Sequence, residues 1–157
     1  NHVECIDQIS RLDLGQCKIF FPLSYGNKKY GEYVTSYAKK NLKQDVVILD
    51  KYLSFDDYSN ILNSCEFLIL NHCRQQALGN VIIALWFELT VYINSESGLF
   101  KFLEDRGFSI FKTENYHPSL KLEKAFKEKN KHLLNTWFGP NLAKNRFASL
   151  LNEIEKL

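Results

Sequence analysis

The sequence contains no methionine, and its four cysteines show no CxxC spacing. The four histidines form no HxxxH or CxxH pair, so the pattern does not favour a zinc site. There is no Asn-x-Ser/Thr sequon and no secretory signal, which is typical of a cytosolic protein with reduced thiols. No apolar run approaches the ~20 residues that a membrane-spanning helix requires. Because no initiator methionine is present, we expect the chain to be a segment of a longer protein.

A strong charge of either sign is also absent. Lys and Arg number 20 and Asp and Glu 18, so the net charge is only +2. A general nucleic-acid-binding domain would normally carry a clustered basic face, and we expect no nucleic-acid partner. Lysines become more frequent between residues 121 and 131, but glutamates alternate with them. This pattern favours a solvated helix face over a patch that binds phosphate or a membrane.

The order of apolar runs predicts an α/β fold. Five short runs are predicted to be strands, namely 18–23, 45–50, 66–71, 89–94 and 108–111. Helical patterns cover 30–41, 58–63, about 76–87, 98–106 and, with a break at 138–140, the chain from 119 onwards. Ser54 is a predicted N-cap and Gly107 a predicted C′ residue. Apolar strands that alternate with helices indicate a Rossmann-like parallel sheet with helices on both faces. Residues 1–16 are predicted to be a lead-in or interdomain segment, and residues 17–157 the domain itself.

Several signatures of α/β enzymes are missing. The sequence has no GxxxxGK[ST] P-loop, no GxGxxG after the first strand and no GxSxG nucleophile elbow. The acidic residues of a phosphoacceptor receiver domain are also not at the required strand ends. The best candidate for a site is therefore a polar segment, His72-Cys73-Arg74-Gln75-Gln76, which lies between the third strand and a helix.

This polar segment predicts an anion-binding site. In an open parallel sheet, ligands bind at the carboxyl ends of the strands, and a helix N-terminus offers unpaired N–H groups. Arg74 adds donors that suit phosphate, and Gly79 allows a ligand or a neighbouring backbone to approach closely. The neutral donors come from Gln75, Gln76 and Asn80. The alternative is that Arg74 pairs with a surface carboxylate while the glutamines cap the helix.

Two further loops follow the first and second strands. Residues 24–29 (SYGNKK) combine hydroxyl groups, a glycine and two lysines, and the alternative is an ordinary exposed turn. Residues 50–54 (DKYLS) contain Tyr52, which is placed to pack against a nucleobase or, alternatively, is a half-buried packing residue. Because the strands are predicted to be parallel, both loops should open on the same edge of the sheet as Arg74.

Three segments resemble a known enzyme family. The segments are FPLSYGNKKYGEYV, YLSFDDYSNILNSCEFLILNHCRQQALGNV and VYINSESGLF, with Arg-Gln-Gln-x-x-Gly the most specific element and Tyr-x-x-x-Leu-x-x-Cys in support. They are similar to the 4-alpha-L-fucosyltransferase family, and to the C-terminal donor domain of GT-B glycosyltransferases. The characterised activity of that family is TDP-N-acetylfucosamine:lipid II N-acetylfucosaminyltransferase, a step in enterobacterial common antigen synthesis.

The resemblance implies a role for each candidate residue. Arg74, Gln75, Gln76, Gly79 and Asn80 would hold the donor diphosphate. Ser24, Tyr25 and Gly26 would line the phosphate or sugar side, Tyr52 and Leu53 the base, and Asn94 and Glu96 the donor sugar. The chain differs from related domains at two positions. It has Phe87-Glu88-Leu89-Thr90 where they have small-Gly-x-Pro, and Ala84 where many have a ribose-binding glutamate.

The resemblance also implies how the whole enzyme works. It would be metal-independent and inverting, with no cofactor besides a TDP- or UDP-linked donor. It would act on a lipid-diphosphate-linked acceptor, at the cytoplasmic face of the bacterial inner membrane. The catalytic base is expected on an N-terminal acceptor domain, so this chain alone should bind nucleotide without turnover. The alternative class is a non-catalytic α/β module that binds an anionic metabolite or a partner protein.

Overall fold

A computed structural model describes residues 1–74, 77–140, 142 and 144. These residues form six α-helices and five strands. In chain order they are α1 (His2–Ile9), β1 (Lys18–Pro22), α2 (Lys28–Asn41), β2 (Asp45–Leu49), α3 (Phe55–Asn63), β3 (Phe67–Leu70), α4 (Leu78–Trp86), β4 (Thr90–Ile93), α5 (Gly98–Glu104), β5 (Phe111–Lys112) and α6 (Lys124–Phe138). A short 3-10 helix, Thr113–Asn115, follows β5.

All strand pairs are parallel, which confirms the α/β class and the Rossmann-like alternation of strands and helices. The strands were predicted to form a parallel sheet, and in the described residues they form two parallel sheets. β1 pairs with β2, and β3, β4 and β5 form a second sheet in that order. No ladder hydrogen bonds join the two sheets within the described part of the chain. Side-chain packing connects them, because Ile69 of β3 packs against the hydrophobic core beside β1 and β2.

Each sheet has its own hydrophobic core. The larger core lies around β4, all four residues of which are buried, and includes Leu85 of α4, Leu103 of α5 and Leu134 of α6. The smaller core joins Phe21 of β1 to residues of α1 and α2. Ile6 and Ile9 of α1 are buried in this smaller core, so the N-terminal helix contributes to the packing of the β1–β2 sheet.

The predicted elements are present, but α2 and α3 begin two and three residues earlier than predicted. Ser54 caps α3 as predicted, since its hydroxyl accepts from the Asp57 N–H at 3.1 Å. After α5, Phe108 N–H binds Leu103 O and Gly107 N–H binds Glu104 O, which confirms Gly107 (φ +78°) as a C′ glycine.

The segment 119–123 was predicted to be helical but is irregular. Its backbone binds β4 instead, because the Tyr92 hydroxyl donates to Leu120 O at 2.6 Å and Leu122 N–H donates to the Thr90 hydroxyl at 3.0 Å. Residues 108–110 also form no strand, and β5 contains only Phe111–Lys112. Both differences arise from contacts between residues far apart in the sequence, which local periodicity does not report.

Candidate functional site at the carboxyl ends of the strands

The loops that follow the strands meet because the strand ends are in register. Leu23 N–H donates to Leu49 O at the end of β1 and β2, and Asn94 N–H donates to Leu70 O at the end of β3 and β4. The loops after β1 and β2 are therefore neighbours, as are the loops after β3 and β4. The candidate residues of the sequence lie in these four loops or at the start of α4, which is the edge where parallel sheets bind ligands.

The loop between β3 and α4 presents Arg74 to solvent. Its side chain is exposed and forms no ion pair with a carboxylate among the described residues. The ring of His72 supports this loop, since its Nδ1 lies 2.8 Å from the carbonyl oxygen of Arg74. A carbonyl only accepts, so Nδ1 carries the proton. The His72 Nε2 atom is buried without a partner in the described part of the chain. Gln75 and Gln76 lie outside the described residues.

The N-terminus of α4 differs from those of α2, α3 and α5, the helices that follow β1, β2 and β4. Side chains of Asn27, Ser54 and Ser97 cap α2, α3 and α5. At α4 the N-cap position is Ala77, whose φ of 62° is left-handed, and no side-chain cap bond forms there in the described structure. A helix without an N-cap acceptor leaves its first N–H groups available to a ligand.

Gly79 and Asn80 occupy the first turn of α4. A Cβ atom added to Gly79 would meet no described protein atom within 4 Å, so no neighbouring backbone packs closely there. The open space beside Gly79 is available to a ligand. Asn80 is half-buried.

The loops after β1 and β2 expose aromatic side chains. Tyr25 is 80% exposed, and Tyr52 is 93% exposed, so Tyr52 is not the half-buried packing residue of the alternative interpretation. Leu53 beside it is half-buried, and Phe55 at the start of α3 is 69% exposed. Gly26 has a φ of +98°, a conformation that favours glycine, while Ser24 is exposed.

Polar side chains connect the ends of β3, β4 and β5. The Asn71 Oδ1 atom accepts from Asn94 Nδ2 at 2.8 Å and from the Thr113 hydroxyl at 3.2 Å. We call these three residues the Asn71 network. Asn94 Oδ1 also accepts from the Glu96 N–H at 2.9 Å, so the Asn94 side chain shapes its own loop. Glu96 itself is exposed.

Sequence reasoning missed Asn71, Thr113, Ser95 and Glu114 as members of this edge. The Ser95 hydroxyl donates to Glu114 at 2.6 Å, and this bond is the main reason that the pKa of Glu114 is lowered. The sequence contained one signal that could have indicated these residues. Each of the three apolar strands is followed directly by polar residues, and such residues lie at the carboxyl end of the sheet. The pairing of β5 with β4, which brings Thr113 to the site, was not readable from the sequence.

Helix α1 lies against the same edge. The Asn71 Nδ2 atom donates to Glu4 at 3.4 Å, and Gln8 donates to the Thr113 carbonyl at 2.7 Å. The His2 ring packs against Tyr30 of α2 with centroids 5.8 Å apart. Burial lowers the pKa of His2. The first turn of α1 therefore connects the loop before α2 with the loop before α4.

The two sequence differences near α4 have clear structural consequences. Ala84 is fully buried in the larger core, so no side chain at this position reaches a ligand. Glu88 has a left-handed φ of 64°, at the position where related domains carry glycine. Its carboxylate binds Lys131 Nζ at 2.6 Å, which lowers the pKa of Glu88 and holds it against α6. Glu88 therefore does not replace the missing ribose ligand.

Two searches of the described residues gave negative results. No three His, Cys, Asp or Glu side chains lie together in a way that would hold a metal ion. None of the described helices is both long and apolar enough to cross a membrane.

Comparison with known proteins supplies the family. A family model described as 4-alpha-L-fucosyltransferase, glycosyl transferase group 56, matches residues 1–151 of the 157 residues. No solved structure matches the chain. The match includes every strand and helix described above, as well as the four loops of the candidate site. The chain therefore belongs to the 4-alpha-L-fucosyltransferase family, a family of glycosyltransferases.

Proposed function

We propose that this chain is the donor-binding domain of a GT-B glycosyltransferase. The donor is a nucleoside diphosphate carrying an N-acetylated amino-fucose type of sugar, and the acceptor is a lipid-diphosphate-linked sugar of bacterial surface polysaccharide synthesis. One observation carries the proposal. The exposed Arg74 side chain, with no described carboxylate partner, precedes α4, which has no side-chain cap in the described structure, whereas α2, α3 and α5 are each capped by a side chain.

The proposed chemistry follows from charge. Glycosyl transfer leaves negative charge on the departing nucleoside diphosphate, and preorganised donors stabilise such charge well. The Arg74 guanidinium and the first N–H groups of α4 would supply these donors, together with Gln75, Gln76, Gly79 and Asn80. We propose a metal-independent transfer in which these donors take the place of a cation, and an inverting one, as the family resemblance implies. The base that deprotonates the acceptor would come from an N-terminal domain, so we expect this chain alone to bind nucleotide without turnover.

The remaining loops are assigned by their chemistry. The exposed ring of Tyr52, with Leu53 beside it, suits a TDP or UDP base. Ser24, Tyr25 and Gly26 would line the phosphate or sugar side. Glu96 would contact the donor sugar directly, whereas the Asn94 side chain is already bonded to Asn71 and to the Glu96 N–H. In the whole enzyme, we propose that catalysis takes place at the cytoplasmic face of the inner membrane, where a lipid-linked acceptor is available.

Calorimetry of this chain with TDP and with UDP tests the proposal. Replacing Arg74 by alanine removes a charged hydrogen-bond donor, which costs roughly 1.5–3 kcal/mol. We therefore expect Arg74→Ala to weaken binding of the preferred nucleotide about tenfold to a hundredfold. Arg11→Ala is a matched control, because Arg11 is also exposed but lies between α1 and β1, outside the four loops. Unchanged affinity of Arg74→Ala, or no binding by the unmodified chain, would contradict the proposal.

A further inference from the structure

We infer that Asn71 is a positioning residue, which fixes the Arg74 loop relative to the Glu96 loop through its bonds to Asn94 and Thr113. This inference rests on the proposed donor site, because it assigns the two loops to the two ends of one ligand. Asn71 does not need to touch the ligand. It acts by holding the backbone of the two loops, one carrying Arg74 and the other carrying Glu96.

The position of Asn71 makes it suited to this role. It is the first residue after β3, and Arg74 follows three positions later. Its Oδ1 atom accepts two hydrogen bonds, from the first residue after β4 and from the first residue after β5. The carboxyl ends of three strands are thereby joined by one amide group.

The partners of Asn71 extend this connection into the neighbouring loops. Thr113 is only 2% exposed, so its hydroxyl has little access to water, and the other acceptor described for it, Glu114 Oε2, lies at the longer distance of 3.4 Å. Asn94 uses its Nδ2 atom for Asn71 and its Oδ1 atom for the Glu96 N–H. Removal of the Asn71 amide would therefore free both the Asn94 side chain and the turn that carries Glu96.

The chain offers a matched control for this substitution. Asn130 of α6 is 1% exposed, and its amide group binds Ser109 N–H at 2.8 Å and Ser109 O at 2.9 Å. Ser109 precedes β5, whereas Thr113 follows it. Asn130→Ala thus removes a buried amide with two hydrogen bonds at the opposite end of the same strand.

Backbone hydrogen–deuterium exchange tests the inference without any ligand. In Asn71→Ala, we expect faster exchange in the peptides that contain Arg74 and Glu96, and no change there in Asn130→Ala. Thr113→Val is a milder second variant, which removes one hydroxyl donor while keeping the side-chain shape. It should accelerate exchange in the same peptides to a smaller extent. Unchanged exchange around Glu96 in both Asn71→Ala and Thr113→Val would overturn the inference.

A charge-conserving swap provides a rescue. In Asn71→Asp, one carboxylate oxygen can still accept from Asn94 and Thr113, but the other oxygen faces the Glu4 carboxylate and the two negative charges repel. The added change Glu4→Gln replaces that carboxylate by an amide, which can donate to the carboxylate at position 71. Normal exchange in the double variant supports the positioning role. Exchange as fast as in Asn71→Ala would contradict it.

Nucleotide binding then separates the inference from the proposed function. Asn71→Ala should weaken the affinity for the nucleoside diphosphate by about threefold to tenfold, the effect of a neutral hydrogen bond. In the Arg74→Ala background the same change should have a much smaller effect, because Asn71 acts through Arg74. If Asn71→Ala weakens nucleotide affinity equally in the unmodified chain and in Arg74→Ala, the positioning role is contradicted. If the unmodified chain binds no nucleotide, the proposed function fails, and the exchange experiment still decides whether Asn71 fixes the two loops.

Discussion

The two sheets of this domain end in loops of different chemistry. After β1 and β2 the loops expose aromatic rings, with Tyr25 80% and Tyr52 93% accessible to solvent. After β3, β4 and β5 the polar side chains bind one another, through the Asn71 network and through the Ser95–Glu114 hydrogen bond. The first region offers flat apolar surface, and the second offers polar groups whose positions are already fixed.

This difference matches the parts of a nucleotide-sugar. A nucleobase binds by stacking, which tolerates a range of positions. A diphosphate and a sugar bind through directional hydrogen bonds, and these are stronger when the protein groups are preorganised. The larger hydrophobic core also lies under the polar region, where it can hold the strand ends in place. For the proposed donor, we therefore expect the base to bind at Tyr52 on the β1–β2 side, and the phosphates and sugar to bind mainly on the β3–β5 side, with Ser24, Tyr25 and Gly26 at the boundary.

The largest expected effect concerns the cores. Leu103 is fully buried in the larger core, and Leu103→Ala should lower the free energy of unfolding by about 2–5 kcal/mol. Chemical denaturation can compare the two regions, because both tryptophans belong to the larger region. Trp137 packs against its core, and Trp86 is the last residue of α4. Far-ultraviolet circular dichroism, in contrast, reports all helices.

Ile69 connects the smaller core to β3, so we expect the two signals to change together in the unmodified chain and in Leu103→Ala. Ser36→Ala, at an exposed position of α2, is the control and should change the free energy of unfolding by less than about 0.5 kcal/mol. A shift of the fluorescence transition alone would show that the two regions unfold independently.

The sequence was sufficient to predict the elements but not all of their contacts. The continuous apolar runs of β2 and β4 and the cap at Ser54 depend on neighbouring residues, and local patterns predicted them correctly. The path of residues 119–123 depends on Thr90 and Tyr92, about thirty positions earlier, and was missed. The same limit applies to the site. Position after a strand predicted that Arg74 and Tyr52 would lie at this edge, whereas the Asn71 network became visible only from strand order.

A smaller effect, on nucleotide affinity, is expected from replacing Tyr52 in the loop after β2. Tyr52→Ala should leave stability nearly unchanged, because the ring is almost fully exposed and packs little. Loss of stacking costs about 1–3 kcal/mol per base, so the affinity for a nucleoside diphosphate should fall by roughly fivefold to a hundredfold. The affinity for inorganic pyrophosphate, which has no base, should not change. Calorimetry with both ligands measures the difference.

Tyr33→Ala is the matched control for Tyr52→Ala. Tyr33 is 53% exposed, but it lies on α2 and outside the loops that follow the strands. This variant should bind both ligands like the unmodified chain. If Tyr52→Ala weakens pyrophosphate as much as the nucleotide, the base does not bind on the β1–β2 side, and the division between the two regions is wrong.

The smallest expected effect tests whether the polar side is truly preorganised. The hydrogen bond from Ser95 is the main cause of the lowered pKa of Glu114, so the ionised carboxylate is favoured in the folded state. A lowered folded pKa stabilises the protein above the ordinary carboxyl value near 4.5, and this stabilisation is lost as the pH falls through the folded pKa. Ser95→Ala should raise the pKa of Glu114 and reduce that loss.

A carbon-13 titration of the side-chain carboxyl groups measures the change directly. Glu88 is the internal control, because Lys131, and not Ser95, is the main cause of its lowered pKa. We expect the Glu114 titration to move upward in Ser95→Ala while the Glu88 titration stays in place. An unchanged Glu114 pKa would mean that this carboxylate is not held by Ser95 in solution. The fixed polar surface would then be limited to the Asn71 network, and Glu114 would be as free to adjust as the aromatic side chains on the other sheet.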